Sequence, residues 1–85
     1  MKELRILGVY VNDRVKESGR IQSILTKYGC SIRTRLGLHS MDDQYAEDKG
    51  LIVLELTGDL SECLKLENEL LAIEYLEVQK MIFTK

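Results

Sequence analysis

The sequence contains no proline, no tryptophan, one histidine and two cysteines in 85 residues. Because 45% of the residues are hydrophobic and helix and strand periodicity is strong, the absence of proline argues against a disordered chain. Cys30 and Cys63 lie far apart and form no CxxC pair. We therefore expect two reduced thiols and no structural disulfide.

Long apolar runs and a secretion signal are also absent. No apolar stretch reaches the roughly 20 residues that a membrane-spanning helix needs. No small-residue cleavage site follows the first residues of the chain. The sequence therefore indicates a cytoplasmic protein without membrane contact.

Excess positive charge is missing as well, since 12 basic residues stand against 14 acidic ones and the formal net charge is −2. Proteins that bind nucleic acids usually present a basic face to the phosphates, so we expect no direct binding to DNA or RNA. We expect a single domain, 1–85. Its free energy of unfolding should be about 4 to 13 kcal/mol, at roughly 0.05 to 0.15 kcal/mol per residue.

Hydrophobic periodicity predicts six elements in the order β-α-β-β-α-β. They are strand 4–12, helix 15–28, two strands joined by a polar loop within 31–57, helix 60–73 and strand 75–84. Asp13 is the N-cap candidate of the first helix, and Asp59 or Ser61 is that of the second. Gly29 is expected to end the first helix in a left-handed conformation.

This order consists of two βαβ halves joined through a hairpin, which is typical of the ferredoxin-like fold. The predicted fold class is therefore α+β. It is a βαββαβ sandwich in which a four-stranded antiparallel sheet carries two helices on one face. Right-handed crossovers place the first and third strands at the centre of this sheet.

Both faces of the first strand are apolar, so the phase of each strand decides which residues the helices cover. The hairpin pattern favours an arrangement in which even-numbered residues of the first three strands, such as Thr34, Leu36 and Ile52, face the helices. The opposite face then presents an uncovered apolar set: Leu7, Val9, Val11, Leu51, Val53, Met81 and Phe83. Such a patch is too large for a monomer. We therefore predict a homo-oligomer, a dimer or a tetramer, with this sheet face or a sheet edge as the contact.

Basic residues and an internal glycine mark a candidate anion site. Arg33 and Arg35 could bind an anion together with Arg14 or with the helix N-terminus near Asp13. Alternatively, they are outward-facing charges or members of interface ion pairs. Gly19 within the first helical pattern would allow close approach of a ligand or a neighbouring chain. The alternative for Gly19 is a helix that begins later.

No catalytic constellation is present, so we do not expect an enzyme. His39 is the only histidine, and a transition-metal site needs several nitrogen or sulfur ligands. The acidic loop 42–48 lacks the spaced ligands and the central glycine of a calcium loop. Cys30 follows a helix end, where no helix dipole lowers the pKa of a thiol. The sequence therefore indicates no metal and no cofactor.

Segments along most of the chain resemble the regulators assigned to the iron-only hydrogenase system. These segments are Val11–Arg14, Ile21–Gly29, Ile32, Arg35–Leu38, Gly50–Ile52, Leu54 and Val78–Lys80. The resemblance implies a short stand-alone chain with an ACT-like fold. It also implies a regulatory role in bacteria that make iron-only hydrogenase, with no established reaction.

A broader resemblance connects the chain to ACT domains, through Gly19–Ile21, Ile24 and Tyr28–Gly29, and to the C-terminal domain of nickel-responsive regulators. The nickel ligands of those regulators are not matched. Leu38 or a glycine stands beside His39 in place of a second histidine, and the cysteine before the third strand is missing. The ribbon-helix-helix DNA-binding segment is also missing, so nickel-dependent repression is not implied.

The resemblance to ACT domains implies an effector site where the first strand meets the first helix. Its expected residues are Asp13, Arg14 and Gly19, with Arg33 or Arg35 from a neighbouring strand or subunit. We therefore expect a non-enzymatic regulatory module that binds an anionic small molecule or docks onto a partner protein. The alternative is a structural protein–protein assembly domain without a small-molecule ligand.

Overall fold

The computed structural model describes residues 3–12, 14–38 and 50–84. These ranges contain β1 (Glu3–Val11), α1 (Arg14–Lys27), a 3₁₀ turn (Gly29–Ser31), β2 (Ile32–Leu38), β3 (Gly50–Leu56), α2 (Leu60–Leu71) and β4 (Leu76–Thr84). The predicted order β-α-β-β-α-β is confirmed. Neither helix in these ranges is long and apolar enough to cross a membrane.

The four described strands form one sheet in the order β2-β3-β1-β4. Each neighbouring pair is antiparallel. The first and third strands are therefore central, because each βαβ connection steps over one intervening strand. This topology confirms the α+β, ferredoxin-like fold.

Helix α1 is anchored by apolar residues at helical spacing. Ile21, Leu25 and Tyr28 are all buried against the sheet and α2. Because α1 begins at Arg14, Gly19 lies inside the helix, and the later helix start is wrong. A Cβ atom at Gly19 would meet no atom within 4 Å apart from its chain neighbours and the adjacent backbone of its own helix.

The polar start of α2 agrees with the sequence prediction. The Asp59 carboxylate accepts a hydrogen bond from the Ser61 backbone N–H at 2.9 Å. This bond, together with that from the Ser61 hydroxyl, lowers the pKa of Asp59. Gly58 precedes the cap with φ +82°, a left-handed conformation that favours glycine. Gly29 does not have a positive φ but begins the 3₁₀ turn, so its predicted left-handed conformation is wrong.

The odd-numbered side of β1 faces the helices. Leu7 is 0% exposed, and Val9 and Val11 are each 1% exposed. The register sets Leu7 beside Leu54 and Val9 beside Ile52, so these residues share one face of the sheet. The assignment of Leu7, Val9 and Val11 to the uncovered face is therefore wrong. Both alternations of β1 are apolar, and its pairing with β3 decides which one is buried.

The hydrophobic core lies between the sheet and the two helices. Its buried residues are Leu7, Val9, Val11, Ile21, Leu25, Tyr28, Leu54, Leu56, Cys63, Leu66, Leu70 and Ile73. The core covers one face of the sheet, and the predicted orientation of β3 is confirmed, since its even-numbered leucines are buried.

An irregularity in β2 changes the orientation of that strand. The pairing with β3 shifts between Ile32 and Thr34, which is the signature of a β-bulge. Ile32 packs against the core, whereas Leu36 pairs with Val53 and is 51% exposed. The Thr34 hydroxyl donates a hydrogen bond to Glu55 at 2.9 Å. The expectation that Thr34 and Leu36 face the helices is thus wrong, because the extra residue reverses the alternation.

The sheet face opposite the helices is largely apolar, and no described element covers it. We call it the open face; its apolar members are Leu4, Ile6, Tyr10, Leu36, Leu51, Val53, Met81 and Phe83. Met81 is 55% exposed and Phe83 50%, while Leu51 is 36% exposed and Val53 is half-buried. These four residues lie on the uncovered face as predicted.

Candidate functional site

An arginine on β2, an edge strand of the sheet, bonds to a side chain of α1. Arg35 pairs with Leu54 across the ladder, and its Nη2 donates a hydrogen bond to the Gln22 Oε1 at 2.9 Å. Gly19 lies three positions before Gln22, on the same face of α1. The structure therefore brings two of the predicted effector residues, Arg35 and Gly19, to one flank of that helix.

A shallow depression of about 470 Å³ lies on the outer face of α1 next to this contact. It is lined by Gln22, Ser23, Thr26 and Lys27. We call these four residues, together with Arg35, the β2-edge surface. Its donors are an amide, two hydroxyls, an ammonium and a guanidinium, which are the groups that bind carboxylates and phosphates. This surface is therefore a candidate site for an anion.

The two cations of the β2-edge surface differ in how far they are neutralised. Lys27 Nζ lies 3.0 Å from Glu69 Oε2. The hydrogen bond with Glu69 raises the pKa of Lys27. Arg35, in contrast, donates to the neutral amide of Gln22. An incoming anion would therefore compete with the Glu69 carboxylate for Lys27. At Arg35 it would instead displace the uncharged Gln22 side chain.

The Lys27 contact belongs to a small cluster that joins the end of α1 to α2. The Tyr28 hydroxyl donates to the same Glu69 oxygen that binds Lys27. This bond raises the pKa of Tyr28 and lowers that of Glu69. Lys27 also lies 5.2 Å from the centroid of the Tyr28 ring. The cluster connects the two helices, and Lys27 is its one member that also lines the depression.

The remaining predicted effector residues are distributed along the chain. Arg14 begins α1, about 12 Å along the helix axis from Gln22 at roughly 1.5 Å per residue. Arg33 is exposed at the β2 bulge. Asp13 lies outside the described residues. A single site that uses all of these groups stays a prediction.

A buried ion cluster between the sheet and α2 was not predicted from the sequence. Arg5 is 5% exposed and its Nη1 lies 3.1 Å from Glu67 Oε1, while Glu67 is 7% exposed. Lys80 Nζ lies 3.1 Å from the second oxygen of Glu67, and Arg5 Nη2 lies 3.4 Å from Glu3. Two cations face two carboxylates, so the cluster is neutral and links β1, β4 and α2.

The sequence signal for this cluster is a charged residue at a position where the apolar pattern predicts a buried side chain. Arg5 continues the alternation of Leu7 and Val9 toward the start of β1, and Glu67 follows Leu66 on the buried side of α2. A charged residue at a core position requires a partner of opposite sign. If the odd-numbered residues of β1 are known to face the helices, this requirement predicts that Arg5 pairs with Glu67.

The cysteines differ in environment. Cys30 is an exposed thiol in the 3₁₀ turn, whereas Cys63 is 0% exposed and its Sγ donates to the Thr57 carbonyl at 3.4 Å. Burial raises the pKa of Cys63 and keeps it protonated. In ranges 3–12, 14–38 and 50–84, no three histidine, cysteine or acidic residues converge as metal ligands. His39 lies outside those ranges.

No family model matches the sequence, and no curated protein matches it. Among solved structures, an uncharacterized protein from Thermotoga maritima is 23% identical with a TM-score of 0.78, covering 94% of this chain and 96% of the other. The ACT domain from the GTP pyrophosphokinase of Chlorobium tepidum is 14% identical with a TM-score of 0.65, covering 95% and 89%.

A third similar structure is CPII, a nitrogen regulatory PII-like protein from Thiomonas intermedia K12 bound to ADP, AMP and bicarbonate. It is 10% identical with a TM-score of 0.62, covering 98% of this chain and 90% of the other. Because all three identities are below 25%, the similarity shows the fold alone. It establishes an ACT-like, ferredoxin-like architecture.

Proposed function

We propose that this chain is a non-enzymatic regulatory module that binds a small anionic effector and functions as a homo-oligomer. The observation that carries the oligomeric part of this proposal is the open face. Its apolar side chains span all four strands, and three of them, Leu36, Met81 and Phe83, are at least half exposed. A monomer rarely leaves so continuous an apolar surface in water, because its burial is favourable by about 25 cal/mol per Å².

The chemistry of the effector is proposed from the β2-edge surface. Arg35 supplies a planar fork of donors suited to a carboxylate or a phosphate, and Lys27 adds a second cation. Ser23 and Thr26 add hydroxyl donors on the outer face of α1. Two proteins with similar folds support the regulatory part of the proposal, since one is an ACT domain and the other is a nitrogen regulatory protein bound to nucleotides and bicarbonate.

The resemblance to regulators of the iron-only hydrogenase system supplies a biological setting. We propose that the module acts in that system through a partner protein and not through direct contact with nucleic acid, since its charges are balanced. A structural assembly domain without a ligand is the competing function. The open face supports both functions equally, whereas the β2-edge surface favours effector binding.

Thermal shift measurements with ADP, AMP and bicarbonate test effector binding. A ligand present at 100 times its Kd stabilises the native state by about 2.7 kcal/mol. For a domain of this size, that stabilisation raises the Tm by roughly 10 to 20 °C. Arg35→Gln, which removes the charge, should abolish most of the shift. Lys65→Gln on α2 is the matched control, because Lys65 is an exposed cation far from the β2 edge.

The outcomes separate the two functions. A shift that is lost in Arg35→Gln and retained in Lys65→Gln supports an anion site at the β2 edge. An equal shift in both variants would place the site elsewhere. If none of the three probes changes the Tm while light scattering shows an oligomer, the assembly domain becomes the better explanation.

A further inference from the structure

The two edges of the sheet have opposite character. The β2 edge is interrupted by a bulge and carries Arg33 and Arg35, and its neighbouring helix flank is polar at Gln22. Bulges and charged residues are the devices by which proteins prevent an edge strand from pairing with another chain. β4 has no bulge, and of its two charged residues, Glu77 and Lys80, the lysine is paired with Glu67. Its nine residues pair with β1 without a register shift, from Glu3 beside Thr84 to Val11 beside Leu76.

An exposed apolar stripe on α2 lies above the β4 edge. Leu60, Leu64 and Leu71 are 39%, 40% and 54% exposed, and their spacing places them on one side of the helix. Glu67 occupies the same side of α2 between Leu64 and Leu71. Since Glu67 bonds to Lys80 of β4, the stripe lies on the β4 flank of α2.

The helix-facing side of β4 extends this apolar surface. Ile82 pairs with Arg5 and is 42% exposed beyond the cover of α2. Lys80 is the one cation on this side of β4 in the described chain, and Glu67 already neutralises it. The helix-facing side of the β4 edge therefore combines unpaired backbone groups with apolar side chains, and its one described cation is already paired. We call β4 with Leu60, Leu64 and Leu71 the β4–α2 edge.

We propose that the β4–α2 edge pairs with the same edge of a second copy of this chain. A two-fold axis perpendicular to the sheet sets the two β4 strands antiparallel and yields one continuous eight-stranded sheet. The same axis brings the two α2 helices side by side, so that their leucine stripes cover each other. An added strand pairs with the outward backbone groups of β4 in a regular ladder, and a second copy supplies one together with a matching apolar helix flank.

The size of this contact is adequate for a dimer. β4 spans about 30 Å, and the sheet with its helix layer is roughly 20 Å high, which gives on the order of 600 Å² per copy. Specific interfaces bury about 600 to 1,000 Å² on each partner. The β4–α2 edge thus reaches the lower end of that range without the open face.

Charge also selects the register of the proposed strand pair. A two-fold axis through Lys80 would set that cation directly against Lys80 of the partner subunit, which is unfavourable. An axis through Gln79 instead sets each Lys80 opposite the partner's Val78. Of these two registers, the one with its axis at Gln79 is therefore favoured.

Hydrogen exchange tests the proposal, with β2 as an internal control. In an antiparallel edge strand, every second backbone N–H points away from the sheet and exchanges rapidly. The outward N–H groups of β4 should become protected as the protein concentration rises, whereas those of β2 should remain fast. Equal exchange at the two edges at every concentration would overturn the proposal.

Sedimentation of variants tests the same edge independently. Leu64→Lys and Leu71→Lys should remove the β4 protection and reduce the assembled mass, because a charge is then buried between the helices. Leu71→Lys also places a cation at a helix C-terminus, which favours the folded monomer. Ala72→Lys is the matched control and should leave the mass unchanged, because Ala72 is an exposed residue beside Leu71 that lies outside the leucine stripe.

This proposal goes beyond the proposed function, and the two can fail separately. Val53→Glu on the open face should dissociate an assembly formed through that face while leaving the β4 protection intact. If Leu64→Lys retains both the wild-type mass and the protection of β4, the edge contact is refuted. Loss of β4 protection in Ala72→Lys as well would also refute it, because the effect would then not be specific to the leucine stripe.

Discussion

The buried ion pair between Arg5 and Glu67 allows a quantitative test of how α2 is held on the sheet. Glu67→Leu removes one partner and leaves Arg5, with 6% of its side chain exposed, facing only Glu3 at 3.4 Å. Breaking a buried pair in this way costs about 3 to 5 kcal/mol. Because Glu3 retains part of the attraction, we expect a loss near the lower end, about 3 kcal/mol.

A loss of about 3 kcal/mol is a large share of the expected 4 to 13 kcal/mol of total stability for this chain. Thermal unfolding followed by circular dichroism should show a fall in Tm of roughly 10 to 20 °C. Replacing both partners, Arg5→Met with Glu67→Leu, should recover most of the loss, because no uncompensated charge is then buried. The two sides of the pair would thus show strong coupling in a double-mutant cycle.

Glu62→Gln is the control for this experiment. Glu62 pairs with Lys65 on the surface of α2 at 3.2 Å, and both side chains are more than two-fifths exposed. Such a pair contributes at most about 1 kcal/mol. If Glu67→Leu changed the stability no more than Glu62→Gln does, the Arg5–Glu67 pair would not be the buried link that the structure indicates.

Three further predictions address other parts of the molecule. Val9→Glu should unfold the protein, whereas Val53→Glu should leave it folded with a smaller assembled mass. Circular dichroism measures the folding and light scattering measures the mass. The same response at both positions would contradict the orientation of β1. Asp59→Ala should lower the Tm by a few degrees at pH 7. Folding lowers the pKa of Asp59 from about 3.8, so its contribution to the free energy of unfolding is present above that pH. This contribution is lost as the pH falls through the lower folded value. The Tm values of wild type and variant should therefore converge in acid. His39→Ala should change neither metal content nor assembly, and stoichiometric nickel or zinc in untagged protein that is lost in the variant would contradict this.

Part of the candidate site could be predicted from residue types but not its geometry. Arg35 and Gly19 were identified as candidates, and the structure sets Arg35 against Gln22 beside Gly19 on one flank of α1. Neither Gln22 nor Lys27 was predicted, because a polar residue on an exposed helix face carries no signal in its spacing. Their positions beside the depression follow only from the tertiary structure.

The sequence alone determined the order of the elements, the fold class and the cap at Asp59, because these depend on local periodicity and on the handedness of βαβ connections. It also determined the orientation of β3, where only one alternation is rich in leucine. The orientation of β1 and β2 depended on the tertiary structure. Both sides of β1 are apolar, and the bulge after Ile32 changes the phase of β2 by one residue. Strand side chains repeat every two residues, so a single-residue shift exchanges the two faces, and only pairing with a neighbouring strand can choose between them.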